Sequence, residues 1–171
     1  ANPNAVNYAS TGEGSATHLA TALFGQMTGT SLKHIPYKGS ANANGDLMSG
    51  EVHLHFDPGA GTLALVRDGR LKALAVSSAQ RTRSLPDVPT VMESGVPGYE
   101  VVSWWVLAAP EGTPKAVTEQ SAAAVKATTA EAALQEQALK LSIDYADSTP
   151  DELTAFVNNE RTRWTGMVTT L

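Results

Sequence analysis

The chain has 171 residues, 42% of them hydrophobic, with a net charge of −5 and no cysteine. That is enough apolar material for one ordinary domain core, or for a small domain plus part of another, and it excludes a disordered chain. Twelve Lys and Arg residues, nowhere denser than Arg81 and Arg83, stand against 17 acidic ones, which excludes the basic stripe a nucleic-acid surface needs; the missing cysteines exclude disulfides, thiolate metal sites and Cys nucleophiles.

The start, Ala1-Asn2-Pro3-Asn4, has neither a basic nor an apolar leader region, and no later run approaches the ~20 apolar residues that span a bilayer. No initiating Met is present, which predicts a processed or trimmed product. Residues 15–28 place Leu19, Leu23, Phe24 and Met27 on one helical face, and Leu32 to Tyr37 reads as a strand. A weaker helix around Ser40 to Met48 is diluted by Asn42, Asn44 and Gly45. Val52 to Phe56 is strand-like, Thr62 to Arg67 helical and Leu71 to Ser77 a buried apolar strand, so the rhythm predicts an α/β fold with a largely parallel sheet.

Pro86, Pro89 and Pro97, with Ser94, Gly95 and Gly98, make residues 79–100 a structured connection with one helical turn at Val91 to Ser94. Val101 to Ala109 is another predicted strand, closed by Pro110-Glu111-Gly112-Thr113-Pro114. An Ala-rich helical region over 115–140 is predicted in two pieces jointed near Thr128 to Glu131, then a strand from Leu141 to Tyr145. Thr149 and Glu152 form a capping box for a last helix, on which Leu153, Phe156, Val157, Trp164 and Met167 make a core-facing stripe.

The chemistry-bearing residues begin with Ser10-Thr11-Gly12-Glu13-Gly14-Ser15 and Thr17, between a strand and a helix. Glycines there bring backbone N–H groups close to an anion, the helix dipole favours negative charge, and the hydroxyls add donors. The loop does not continue as GK[ST], which excludes a Walker A phosphate site, and it lacks the third glycine and the following acidic residue of a dinucleotide fingerprint. A nucleophile elbow built on Ser15 with His18 fails the GxSxG pattern. His53, His55 and Asp57 alternate along a strand and offer a rival metal-dependent hydrolase site, although His18 and His34 supply no matching ligand pair. Trp104 and Trp105 point to opposite faces of their strand, so one at most lines a cleft.

The stretches NYASTGEGSATHLATALFGQMTG, HIPYKGSANANGDLMSGEVHLHFD, GRLKALAVSSAQRTRSLPDVPTVMESGVPGYE and SWWVLAAPEGTPK, in that order, resemble the periplasmic solute-binding proteins of tripartite tricarboxylate transporters, the TctC or Bug type. The resemblance implies a periplasmic-binding-protein-like fold of type II, a two-lobed Venus flytrap. Residues 1–100 would be lobe 2 and residues 101–171 the C-terminal part of lobe 1, with the N-terminal half of that lobe missing from a truncated chain. It further implies a non-enzyme in the periplasm that needs no cofactor, holds a small carboxylate and presents it to membrane subunits. The implied carboxylate seat is Ser10, Thr11, Gly12, Glu13, Gly14, Ser15 and Thr17. Asp57 would orient a loop, water or ligand group, Tyr37 would form a neighbouring wall, and Trp104 or Trp105 would cover the ligand. Thr11 stands where the family commonly has proline. Glu13 opposes an anion unless it turns to solvent or the ligand carries a donor. Apolar faces left without their lobe-1 partners predict self-association.

Overall fold

The computed structural model describes residues 6–168, so the Ala1-Asn2-Pro3-Asn4 start lies outside the described residues. The chain divides into two units: Ala1–Trp104 with Lys140–Ser142, and Trp105–Leu139 with Ile143–Leu171.

The first unit runs β1 (Asn7–Ser10), α1 (Ala16–Thr28), β2 (Lys33–Pro36), α2 (Ser40–Ser49), β3 (Leu54–His55) and α3 (Leu63–Arg67). Its strands form a parallel sheet in the order β2-β1-β3. The central strand buries Tyr8, Ala9 and Ser10 in succession, as a parallel strand covered on both faces must. Ala9 and Ala43 are both fully buried with Val52, and Ile35, Tyr37 and Leu47 pack around them. Two alanines at this contact let α2 lie close against β1, so the core here is made of short side chains at close range.

The third strand is shorter than the predicted Val52 to Phe56. On this edge the Asn7 amide donates to the His53 ring at 3.0 Å rather than to a backbone carbonyl, which limits the ladder to Leu54 and His55. The predicted strand Leu71 to Ser77 is also corrected: only Val76 bridges, in parallel with Thr90. Pro86 and Pro89 in the segment that would continue the pairing donate no N–H, which disfavours a longer ladder.

The proline-rich connection is ordered by other means. Thr90 and Glu93 cap each other reciprocally, with Thr90 N–H donating to Glu93 Oε2 at 2.6 Å and Glu93 N–H to Thr90 Oγ1 at 3.0 Å. Arg81 Nε donates to both Glu93 oxygens, and the Arg81 guanidinium also reaches the Pro86 carbonyl. Tyr99 is fully buried and donates its hydroxyl to the Ala20 carbonyl of α1 at 2.9 Å, while its ring meets Phe24 and Phe56. The family-like stretch LPDVPTVMESGVPGYE is therefore a clasp that fastens the connection to α1.

The second unit contains α4 (Lys115–Thr129), α5 (Ala132–Leu141) and α6 (Pro150–Val168). The joint between α4 and α5 falls where the sequence places it. Thr149 and Glu152 form the expected capping box, with Thr149 N–H donating to Glu152 Oε2 at 2.8 Å. α4 contacts α6, and Lys126 pairs with Asp147 at 3.2 Å. The stripe on α6 is only half-buried at Leu153, Val157, Trp164 and Met167, and Phe156 is exposed.

Two further predicted strands do not form among the described residues. Val101 donates to the Ser77 carbonyl at 2.9 Å, but no strand pairing follows along Val102 to Ala109, and Val102, Val106 and Leu107 are exposed. At Leu141 to Tyr145, Ser142 instead takes the left-handed conformation (φ 58°) and Ile143 N–H donates to the Ala138 carbonyl. That geometry closes the end of α5 and uses the backbone donor a strand would need.

Candidate functional site

In an open parallel sheet the loops leaving the carboxyl ends of the strands gather at one edge, where ligands of such folds bind. Here those loops are residues 11–15 after β1, 37–39 after β2 and 56–62 after β3. Ser10 to Ser15, Tyr37 and Asp57 therefore share an edge. The Tyr37 amide donates to the Ser10 carbonyl at 3.0 Å, joining the first two loops directly.

The loop after β1 is shaped by glycine. Gly12 (φ 128°) and Gly14 (φ 72°) hold backbone angles that side-chain-bearing residues rarely adopt. Ser15 caps α1: its Oγ accepts from His18 N–H at 3.2 Å and donates to the Gly12 carbonyl at 2.7 Å. Most of the loop amides are already engaged. Thr11 N–H donates to Thr17 Oγ1 at 2.8 Å, Gly12 N–H to Ser10 Oγ at 3.1 Å, Gly14 N–H to His18 Nδ1 at 3.0 Å and Ser15 N–H to the Gly12 carbonyl. The amides of Glu13, Ala16 and Thr17 have no such acceptor among the described residues, as the first turn of a helix leaves donors open. Glu13 is exposed.

These bonds dispose of the elbow. Ser15 Oγ gives its proton to a backbone carbonyl and His18 Nδ1 takes one from Gly14, so no hydroxyl-to-imidazole relay joins the pair.

The loop after β3 centres on Asp57. Its Oδ1 accepts from Gly59 N–H at 2.8 Å and from Thr62 Oγ1 at 2.9 Å, which folds the turn into α3. Its Oδ2 is buried without a hydrogen-bond partner and lies 3.8 Å from His55 Nδ1. His55 is 1% exposed at the side chain, and both ring nitrogens lack hydrogen-bond partners. Burial lowers its pKa, and the Asp57 charge opposes that shift. His53, by contrast, is exposed with Nδ1 committed to Asn7. The rival metal reading thus loses its first ligand, and the described residues hold no group of three or more His, Cys, Asp or Glu suited to a metal.

Tyr37 contributes its backbone to this edge, while its hydroxyl turns away to Asp46 Oδ2 at 2.7 Å; that bond pushes its pKa up to about 12. Trp104 is 39% and Trp105 74% exposed, and they fall in different units.

Sequence reasoning missed a stack of rings under the first loop. Tyr8 and His34 are direct cross-strand partners, with centroids 4.9 Å apart, and His34 lies 4.2 Å from His18 with the planes within 6°. His34 Nε2 is 2.6 Å from Ser10 Oγ. Burial, then His18, lower the His34 pKa, against the raising influence of Glu13. The available signal was register: Tyr8 and His34 each stand second in their parallel strands, and His18 opens the helix that follows.

The first unit is thus a parallel α/β layer whose glycine loop opens a helix at the edge where the strand-end loops gather. The chain belongs to the tripartite tricarboxylate transporter family receptors, TctC, whose family model matches residues 1–171. It is 35% identical over 168 residues to the UPF0065 protein in the tcbD-tcbE intergenic region of Pseudomonas sp. strain P51, covering 98% of this chain and 50% of that one. Over 169 residues it is 35% identical to Protein BugT of Bordetella pertussis, covering 98% and 52%. Among solved structures, R. palustris Rpa4515 with adipate superimposes with a TM-score of 0.85 at 34% identity, covering 99% of this chain and 56% of that one. MatC (Rpa3494) from Rhodopseudomonas palustris with bound malate gives a TM-score of 0.77 at 27% identity, covering 96% and 57%. The chain thus spans about half the length of these relatives.

Proposed function

We propose that the chain is the ligand-binding portion of an extracytoplasmic solute-binding protein, which captures a small carboxylate in the periplasm and delivers it to the membrane subunits of a tripartite tricarboxylate-type transporter. Residues 1–100 serve as lobe 2 and residues 101–171 as the returning segment of lobe 1. The observation that carries this is the loop of Ser10 to Ser15, where Glu13, Ala16 and Thr17 leave amides open at the start of α1 in a TctC chain. Adipate and malate in the two similar structures make a dicarboxylate the first ligand class to examine. Ser15 shapes the seat, and Asp57 sets the neighbouring loop through Gly59 and Thr62. Nothing covalent is asked of the protein.

Calorimetric titration with adipate, malate and acetate tests this. A dicarboxylate is expected to bind, and Ser15→Ala and Asp57→Ala each to weaken it by about 3- to 10-fold, the worth of one hydrogen bond. Undiminished affinity in both variants refutes the seat.

A second copy of the chain is the partner we propose for Val102 to Leu107. Five of those six residues are exposed large hydrophobics, and the matched relatives carry as much sequence again beyond the shared portion.

A further inference from the structure

The stacked histidines do not serve the carboxylate seat as donors; one of them occupies a loop amide instead. His18 Nδ1 accepts from the Gly14 amide at 3.0 Å, and that amide sits in the loop assigned above to the anion. Only an unprotonated Nδ1 accepts a hydrogen bond. His34 Nε2 faces Ser10 Oγ at 2.6 Å, and the same hydroxyl accepts from Gly12 N–H at 3.1 Å. Both imidazoles are therefore wired to loop backbone, one directly and one through a serine.

The two rings lie face to face at 4.2 Å, and Tyr8 lies 4.9 Å from His34 and 6.4 Å from His18. Two imidazolium ions at that distance repel, so the pair has room for one proton and not two. The Glu13 carboxylate acts on His34 in the opposite sense to burial and to His18, favouring its charged form.

We propose that His18 and His34 form a one-proton switch on the ligand loop, in which protonation of His18 at Nδ1 frees the Gly14 amide and sets a positive charge beside it. A carboxylate that takes the freed amide also pairs with the imidazolium. Binding at this loop is then coupled to uptake of one proton from solvent, and affinity rises as pH falls. The coupling to ligand rests on the carboxylate-seat reading; the switch itself does not.

Two measurements separate those parts. In the first, amide and imidazole resonances of the chain are followed by NMR from pH 8 to pH 5.5 without ligand. The Gly14 amide is expected to shift with the His18 midpoint, and in His18→Gln, which retains an acceptor but cannot titrate, that shift is lost. A Gly14 amide that ignores pH while His18 titrates, or two rings that protonate independently, overturns the switch. In the second, adipate is titrated calorimetrically in phosphate and in Tris at pH 7. Uptake approaching one proton per adipate is expected for the wild type and close to none for His18→Gln; equal uptake in both overturns the coupling. Absence of adipate binding alongside a pH-linked Gly14 amide refutes the seat and the coupling to it, and leaves the switch standing.

Discussion

His55 and Asp57 make the clearest case of a residue pair held at a cost, because a buried polar atom without a partner forfeits about 1–3 kcal/mol. Burial lowers the His55 pKa, so the folded chain resists the proton. The sign follows: stability is full above the ordinary histidine value of about 6.5 and falls as acid drives the ring into its charged form. Thermal melts at pH 8 and pH 5.5 are expected to show a smaller acid loss for His55→Met than for the wild type; equal losses contradict it. Ser15→Ala removes both the cap on His18 N–H and the anchor on the Gly12 carbonyl, and should cost about 1 kcal/mol in denaturant unfolding. At this scale the sequence was legible where backbone geometry demands a residue type, as at Gly12 and Gly14. The His18, His34 and Tyr8 stack was not, because it depends on which strand residues become neighbours across the sheet.

Elements with local signals were readable, and those needing a distant partner were not. The helix α1 is legible as a helix, although it buries Thr17, Ala20, Thr21 and Leu23 and leaves Met27 exposed, and α6 shows its Thr149 and Glu152 box. The runs 71–77, 101–109 and 141–145 have strand-like composition, yet a strand exists only when another backbone supplies its ladder. Proline disfavoured that pairing for the first, and the backbone turn at Ser142 ended the third. The clasp of residues 79–101 is held by side chains instead. Tyr99→Phe removes the bond to the Ala20 carbonyl while keeping the ring against Phe24 and Phe56. The expected loss is about 1 kcal/mol, read as a lower unfolding midpoint with an unchanged slope. An unaltered midpoint contradicts a fastening role for that hydroxyl.

For the whole molecule, the exposed run with Trp105 at 74% and Leu107 at 71% should drive copies together, since contiguous exposed apolar surface favours association. Sedimentation is expected to show a dimer or larger species, reduced by Trp105→Lys with Leu107→Lys; a wild-type monomer at high concentration refutes self-association. The α/β class was legible from the alternation of elements, whereas the extent of each unit depends on contacts far apart in the chain. The central claim is that the loop of Ser10 to Ser15 holds a small carboxylate. Mapping adipate onto the chain by NMR tests it most directly, because the open amides are individually observable. Saturable shifts centred on Glu13, Ala16 and Thr17 are the predicted result; shifts confined to other segments, or none at millimolar adipate, contradict it.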